Sequence, residues 1–154
     1  MQAGAEQVDY QEEGVLNLPV GSCYIKNFYF PFDFRDLSKG RRIIETRMLV
    51  HRENGWESLS YIWKDDQSDA TLEVAGDIKQ VSWIHDDGKK MDIDYVIPNK
   101  NQCKGCHWDN KNNAFMPIGP KVRNLNHDYT YTDGVKNQIE KWTAMGILKG
   151  AKTA

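Results

Sequence analysis

The residues of this chain with the clearest chemistry are two cysteines and a histidine in the run Cys103-Lys104-Gly105-Cys106-His107. Two thiols separated by two residues and followed at once by an imidazole form the pattern that attaches c-type haem. The spacing has a mechanical reason, since both thiols must reach the vinyl groups on one porphyrin edge while the imidazole turns beneath the ring to the iron. The sequence therefore predicts one covalent haem c, held by Cys103 and Cys106, with His107 as the proximal iron ligand.

Two other chemistries use closely spaced cysteines: a structural zinc site and a thiol redox pair. Zinc requires a second pair of ligands, and only Cys23 and scattered histidines remain outside the motif. A thioredoxin-like pair does not need the histidine, and it opens a helix within a βαβ unit, which the sequence does not indicate. The odd count of three cysteines excludes a fully paired disulfide framework. Cys23 lies in an apolar segment and is predicted to be a buried free thiol.

The distal side of the iron separates two kinds of haem protein. Met116 and Met145 are the candidate distal ligands, whereas Met48 and Met91 are predicted to point into the body of a sheet. A histidine or an open position are the alternatives; the other histidines are His51, His85 and His127. A filled coordination sphere suits electron transfer because little rearranges between oxidation states, whereas an open iron can bind NO, CO or peroxide.

Positive charge surrounds the motif. The nearby cations are Lys100, Lys104, Lys111, Lys121 and Arg123, with Asp109 as the one nearby acid. Such a basic collar can pair with haem propionates or steer an acidic redox partner, and it can equally be a solvated surface. On charge alone, further propionate candidates are Arg41, Arg42 and Arg47.

Length and composition limit the class of protein. The chain has 154 residues, of which 40% are hydrophobic and 27% charged, enough for one domain with a single core. A formal net charge of −2 argues against a dedicated nucleic-acid binder, which shows a basic face. No apolar run reaches the roughly 18–20 residues that cross a bilayer, so no membrane span is expected. The opening MQAGAEQVDYQEEG lacks the basic start and apolar stretch of a signal peptide.

The elements that must position the motif are predicted to be strands. The segment VGSCYIKNFYF is rich in aromatic residues and stops at Pro31, and IIETRMLVHR alternates with a period of two. Asn54-Gly55 predicts a tight turn into WESLSYIW, and Asp87-Gly88 predicts a second turn between VSWI and MDIDYVI. The fold class is therefore predicted as α+β, mostly β, with an antiparallel sheet body.

The expected organisation is one β-rich domain over 14–154 after a flexible lead-in over 1–13. Within it we expect a sheet over 14–97, a haem-binding loop segment over 98–132 and a C-terminal helix over about 133–149. Asp133 is the predicted cap of that helix and Gly150 its end.

Three runs of the chain carry a resemblance: YVIPNKNQCKGCH, PIGPKVRNLN and NQIEKWTAMGIL. They resemble a family of bacterial hypothetical proteins with one c-type haem motif, and the resemblance covers nearly all of the chain from Gly14 onward. Members of that family are usually exported, which implies a periplasmic or cell-surface location with a signal sequence upstream of this Met1. A weaker resemblance is to β-sheet cytochromes of the c′-beta group, which bind gases or oxidise small nitrogen compounds at an open iron.

The run Pro117-Ile118-Gly119-Pro120 resembles the Gly-Pro loop of class I cytochromes c. That resemblance implies that the Pro120 carbonyl accepts a hydrogen bond from the imidazole of His107 and orients it. The alternative is a rigid turn without a role at the haem.

Taken together, these features predict a mono-haem c-type cytochrome that transfers one electron at a time to a redox partner protein. A five-coordinate haem protein that binds or converts a small ligand is the alternative. A third possibility is a structural domain in which the haem stabilises the fold, or a module that is polymerised as a homo-oligomer or fused into a larger redox assembly.

Overall fold

The computed structural model describes residues 6–151. Strands make up 46% of the structure and helices 15%, which confirms the predicted mostly β fold of the α+β class. The strands are β1 (Val8–Asp9), β2 (Cys23–Pro31), β3 (Arg41–Arg52), β4 (Gly55–Trp63), β5 (Ala70–Glu73), β6 (Asp77–Ile84), β7 (Lys90–Ile97), β8 (Trp108–Asp109), β9 (Ala114–Phe115), β10 (Asp128–Tyr131), β11 (Gly134–Asn137) and β12 (Leu148–Lys149). The helices are α1 (Lys100–His107), α2 (Val122–Leu125) and α3 (Gln138–Ala144), with a 3₁₀ turn at Leu37–Lys39.

The described residues group into two compact units. The central unit is Cys23–Phe115 and contains the strands from β2 to β9 together with α1. The terminal unit combines residues 6–22 with residues 116–151, so both ends of the chain contribute to it.

The central unit is built on an antiparallel sheet in the order β2-β3-β4-β9-β8, and β5 also pairs with β4. The predicted strands are confirmed, and the sheet extends beyond the expected limit of residue 97 because β8 and β9 join it. The hairpin β6–β7 forms a second ladder. The core of the unit consists of Ile44, Ile62, Val81 and Ile97.

A bulge in β3 changes which side chains are buried. The pairing of β2 with β3 shifts between Phe28 and Tyr29, so that Ile44 is an extra residue on β3. Two consecutive side chains, Ile44 and Glu45, are then both buried, at 2% and 0% exposure. The simple alternation predicted for this strand places Glu45 on the polar face, which is wrong, because a bulge locally interrupts the period of two.

Both predicted hairpin turns exist, and both are shifted by one residue. Arg52 pairs directly with Gly55, so the turn residues are Glu53 and Asn54, and the glycine opens β4 with a φ of +111°. In the second turn the Gly88 amide donates to the His85 carbonyl at 2.8 Å, so the central residues are Asp86 and Asp87 rather than Asp87 and Gly88. Gly88 follows with a φ of +84°, and a turn followed by a glycine with positive φ is a common hairpin connection.

The terminal unit corrects the expectation of a loose lead-in over 1–13. Val8 and Asp9 form a parallel pair with Leu148 and Lys149, and Val8 is only 2% exposed. The buried core of this unit is Val8, Leu16, Val122 and Leu148. The start of the lead-in, residues 1–5, lies outside the described residues.

The expectation of a C-terminal helix over about 133–149 is also corrected. Residues 134–137 form β11, the helix is limited to Gln138–Ala144, and its cap is Asn137, whose side chain accepts a hydrogen bond from the Ile139 amide. Asp133 lies instead in the turn between β10 and β11, before Gly134 at a φ of +116°. The Asp-Gly pair favours a hairpin, which interrupts the apolar spacing that looks helical in the sequence.

Candidate functional site

The Cys103–His107 motif lies on α1, not in the loop segment expected over 98–132. Asn99 caps this helix: its side chain accepts a hydrogen bond from the Gln102 amide at 2.9 Å, and the Gln102 side chain accepts one from the Asn99 amide at 2.8 Å. This reciprocal pair satisfies backbone donors that the first helical turn leaves without partners. The local sequence therefore supplies the start of the helix that carries both cysteines.

The start of α1 is tied to the rest of the central unit. Ile97, three residues before the helix, is 1% exposed in the core, and the Lys100 amide donates to the Val74 carbonyl at 3.2 Å. Gly76 lies so close that a Cβ on it would be 2.7 Å from the Ile97 carbonyl oxygen and 2.9 Å from the Asn99 nitrogen. The helix is thus anchored at its first residue, and both cysteines follow within two turns.

The helix places the three predicted haem-attachment residues on one face. At about 100° per residue, Cys103, Cys106 and His107 fall within an arc of about 100°. Cys106 is exposed, Cys103 and His107 are half-buried, and both thiols are free. Two free thiols and an imidazole on one side of a surface helix fit the donor set that a covalent haem requires.

The alternative chemistries fit this geometry less well. Cys103 and Cys106 are the fourth and seventh residues of α1, whereas helix N-termini are where thiols of redox pairs are activated. Within residues 6–151, no group of three or more His, Cys, Asp or Glu side chains could hold a metal ion. A zinc site built from the motif and Cys23 therefore has no support in the described part of the chain.

A row of aromatic side chains crosses the sheet next to α1. Trp56 lies directly opposite His51 on one side and Phe115 on the other, and Phe115 lies opposite Trp108. Directly opposed residues share a face of the sheet. The rings of His51 and Trp56 stack with centroids 4.4 Å apart, and those of Trp108 and Phe115 meet edge to face at 5.4 Å.

This aromatic row reaches the motif through Trp108. Trp108 directly follows His107 and ends α1, and the ammonium of Lys104 lies 4.6 Å above the Trp108 ring. On the other side, Tyr24 stacks on Trp56 at 5.7 Å. The Tyr24 hydroxyl is buried without a hydrogen-bond partner among the described residues, and burial raises its pKa.

A cleft of about 740 Å³ lies between the end of the β3–β4 hairpin and α1. It is lined by Arg52, Glu53, Asn54, Trp56, Glu57, Lys100 and Phe115. Two members of the aromatic row therefore form part of its wall, and one residue of α1 contributes to its rim.

Glu45 is a buried carboxylate whose contacts the sequence does not predict. It accepts hydrogen bonds from Arg47 Nε at 2.9 Å and Nη2 at 2.5 Å, and from the Tyr95 hydroxyl at 2.8 Å. Desolvation lowers the pKa of Arg47, but the hydrogen bond and charge of Glu45 outweigh it, so the pKa is raised. The buried carboxylate thus fixes the position of the Arg47 guanidinium within the central unit.

The predicted basic collar divides between the two units. Lys100, Lys104 and Lys111 belong to the central unit with the motif. Lys121 and Arg123 belong to the terminal unit, where they line a cavity of about 320 Å³ together with Glu12 and Glu13.

The arginines proposed for the propionates all have protein partners. Arg41 lies 4.6 Å above the ring of Tyr29, and Arg42 forms an ion pair of 2.7 Å with Asp65. Arg47 pairs with Glu45, as described above. Each guanidinium is therefore already engaged in the fold.

The predicted distal ligands belong to the terminal unit. Met116 is half-buried, and Met145 is the C-cap of α3 with 55% of its surface exposed, so Met145 is not core filling. The Pro120 carbonyl accepts a hydrogen bond from the Leu16 amide at 2.7 Å. A carbonyl oxygen has two lone pairs, so this bond uses half of its capacity as an acceptor.

The remaining histidines and methionines of the sequence analysis are spread over the fold. His85 precedes the β6–β7 turn and meets the Phe34 ring at 6.1 Å, and His127 shares a 2.8 Å hydrogen bond with Gln138. Met48 is half-buried on β3 and Met91 is 38% exposed on β7.

The prediction that Cys23 is a buried thiol is wrong. Cys23 is the first residue of β2, which forms one edge of the sheet, and its side chain is exposed. Partial desolvation raises the pKa of its thiol, while the charge of Arg52 acts in the opposite direction. The apolar neighbours in the sequence are paired to β3 on one side only, which leaves the edge open.

Comparison of the chain with protein-family models, with curated proteins and with solved structures finds no match. Among the described residues, no helix is long and apolar enough to span a bilayer.

Proposed function

We propose that this protein is a mono-haem c-type cytochrome that transfers single electrons. The observation that carries the proposal is the placement of Cys103, Cys106 and His107 on one accessible face of a capped helix, with both thiols free. When bound, a haem c supplies a one-electron redox centre whose potential the surrounding protein sets.

The roles of the residues follow from their chemistry. The thiols of Cys103 and Cys106 hold the porphyrin through thioethers, and the His107 imidazole binds the iron from the proximal side. Lys100 and Lys111 are exposed cations near the motif, and they favour an acidic redox partner. Because bacterial haem c is attached after export, the proposal includes a periplasmic or cell-surface location.

The test is production of the protein with an added export signal in a bacterium that has a haem c maturation system. The expected product has an intact mass under denaturing conditions equal to that of the polypeptide plus one haem. Its reduced pyridine complex should show the absorption spectrum of a haem with two thioether bonds. An exported product with the mass of the bare polypeptide would overturn the proposal.

The third cysteine provides a matched control for attachment. Cys23→Ala should retain the haem, because Cys23 is exposed on the opposite edge strand from β8. Cys103→Ala and Cys106→Ala should each lose the two-thioether spectrum. An unchanged two-thioether spectrum in all three variants would show that the motif is not the attachment site.

A five-coordinate haem protein is the second candidate function. The observation that favours it is the exposure of Met145, a predicted distal ligand that is 55% exposed at the end of α3. Addition of CO to the reduced protein separates the two candidates. A prompt spectral change supports ligand binding at an open iron, and an unchanged low-spin spectrum supports electron transfer.

A further inference from the structure

We infer that strand β2 pairs edge to edge with β2 of a second copy of this chain, in an antiparallel register centred on Asn27. The inference goes beyond the proposed function and does not depend on haem attachment. A twofold axis through the centre of the paired strands would relate the two copies, so that each contributes the same surface. In this register all nine residues of β2, Cys23–Pro31, face the same strand of the second copy.

The first support is the open edge of β2. The strand is the last in the order β2-β3-β4-β9-β8, and within residues 6–151 it pairs with β3 alone. Just beyond the strand, the Phe32 amide donates to the Gly40 carbonyl on the β3 side at 3.1 Å. Because the amides of an antiparallel strand point alternately to its two sides, those of the odd-numbered residues of β2 point away from β3.

The outward-facing amides of β2 are the groups that a second strand would bind. They belong to the four odd-numbered residues from Cys23 to Tyr29, and no backbone carbonyl in the described part of the chain accepts a hydrogen bond from them. In the register centred on Asn27, each of these amides meets a carbonyl of the second copy. Pro31, which has no amide, lies opposite Cys23 at the end of the pairing, where its missing donor costs only the outermost hydrogen bond.

The second support is the scarcity of charge along this edge. Proteins usually protect an exposed strand edge with charged side chains, proline or a bulge. In β7, another long strand with a single partner, the exposed charged residues are Lys90, Asp92 and Asp94. β2 has one charged residue, Lys26, whose ammonium lies 4.7 Å from the ring centre of Phe28 on the same strand. The extra residue of the bulge is on β3, and the proline is the last residue of β2, so neither interrupts the edge.

The third support is that β2 is complementary to itself in this register. With Asn27 at the centre, Ile25 lies opposite Tyr29 of the second copy, and these residues are 64% and 46% exposed in the single chain. A β-branched residue opposite an aromatic ring is a favourable pair on the same face of a sheet. On the other face, Lys26 lies opposite the Phe28 ring of the second copy, which is an arrangement that suits a cation–π contact.

The other registers are less favourable. Matching faces of a continuous sheet require a residue, rather than a peptide bond, at the centre of the pairing, because side chains alternate along a strand. A centre at Lys26 would place two ammonium groups directly opposite each other, which destabilises a strand pair. Every centre other than Asn27 also pairs fewer residues. Since this complementarity is that of the strand with itself, a second copy is the occupant that it favours.

The first test is sedimentation velocity of the full chain over a wide range of concentration, which should show a monomer–dimer equilibrium. Asn27→Lys places two ammonium groups opposite each other on the twofold axis, so it should raise the dissociation constant about tenfold or more. Thr71→Lys is the matched control, because Thr71 is an exposed residue of β5 in the same sheet, and it should leave the constant unchanged. A chain that is monomeric at every concentration, or an equal effect of the two variants, would overturn the second copy as the occupant of this edge.

The second test addresses the register and does not require the lysine variant to fold. The two Asn27 Cα atoms would be about 5.5 Å apart, a distance that a disulfide spans. Asn27→Cys in a Cys23→Ala background should therefore give a covalent dimer under mild oxidation, with the link located at position 27 by mass spectrometry of non-reduced peptides. Thr71→Cys in the same background is the control and should form no link at position 71. Equal yields of the two links, or no link at position 27, would overturn the register.

Discussion

The hydroxyl of Tyr95 donates a 2.8 Å hydrogen bond to Oε1 of Glu45, a carboxylate without solvent-exposed surface. The two residues are 50 positions apart in the sequence and come from β7 and β3. Arg47 supplies the positive charge that a buried carboxylate needs. The network therefore joins the two antiparallel ladders of the central unit through one buried charge.

Removal of the Tyr95 hydroxyl should weaken this unit in a pH-dependent way. Burial, followed by the hydrogen bond to Glu45, raises the pKa of Tyr95 to about 12 from 10.0 in the unfolded chain. The folded state thus holds the phenol proton more tightly, and this stabilisation is complete below pH 10.0 and is lost as the pH rises towards 12. Tyr95→Phe should reduce the free energy of unfolding at pH 7 by about 1 kcal/mol.

Urea unfolding at pH 7, 10 and 11 checks this prediction. The loss of stability between pH 10 and 11 should be smaller in Tyr95→Phe than in the wild type. Tyr129→Phe is the control, because Tyr129 is 55% exposed. This substitution should change neither the free energy of unfolding at pH 7 nor the loss of stability between pH 10 and 11. Parallel curves for the wild type and Tyr95→Phe would contradict the assigned role of the hydroxyl.

Gly76→Ala should disturb the entry into α1. An added Cβ would lie 2.7 Å from the Ile97 carbonyl oxygen and 2.9 Å from the Asn99 nitrogen, at a φ of +83°. The backbone of residues 97–99 must then move, and we expect a loss of about 2 kcal/mol or more in unfolding free energy. Gly55→Ala also places a side chain at a positive φ, +111°, but no atom lies within 4 Å of the added Cβ. Its loss of unfolding free energy should therefore be smaller than that of Gly76→Ala. Equal losses in the two variants, measured by urea unfolding, would exclude the steric contact.

Asn99→Ala should loosen α1 without a large change elsewhere. It removes the side chain that accepts the Gln102 amide hydrogen, which is worth about 1 kcal/mol at a helix N-terminus. A helix of eight residues has little stability of its own, so the effect should appear locally. Hydrogen exchange of residues 100–107 should accelerate in Asn99→Ala and remain unchanged in Asn101→Ala, which alters an exposed side chain of the same helix. Unchanged exchange in both variants would show that the cap does not support the motif.

Asp133→Asn should alter the acid stability of the terminal unit. Hydrogen bonds from Lys141 and then Lys136 lower the pKa of Asp133 to about 2 from 3.8. The stabilisation is therefore present above pH 3.8 and is lost as the pH falls towards 2. Thermal unfolding between pH 2 and 5 should show a weaker pH dependence in Asp133→Asn than in the wild type. Asp128→Asn, on the neighbouring strand, is the control, and an identical response of the two variants would rule out the lysine contacts as the cause.

The parts of the fold that follow from local pattern could be predicted from the sequence. Strands β3, β4, β6 and β7 have the alternation and the Asn-Gly or Asp-Gly turns that define hairpins, and the structure confirms them. The same signal at Asp133-Gly134 marks the turn between β10 and β11, while the apolar residues at roughly helical spacing around it predict a longer helix than α3. An Asp-Gly pair among apolar residues at helical spacing therefore indicates a hairpin rather than a continuous helix.

The parts that depend on distant pairing could not be predicted in this way. The burial of Glu45 results from a bulge in the pairing of β2 with β3, and the exposure of Cys23 results from the edge position of β2. The aromatic row depends on the register of four strands, of which two contain only two residues each. None of these three features has a signature within a short window of sequence.

The parallel pairing of Val8 with Leu148 also limits the order in which the protein can mature. The central unit is one continuous stretch, so all of its residues are present once Phe115 has left the ribosome or the translocation channel. The first strand must wait unpaired until residues 148 and 149 have followed. In a nascent chain halted between these two points, Val8 and Leu16 would lack Leu148, one of the residues that bury them, and such exposed apolar side chains are what chaperones and proteases recognise.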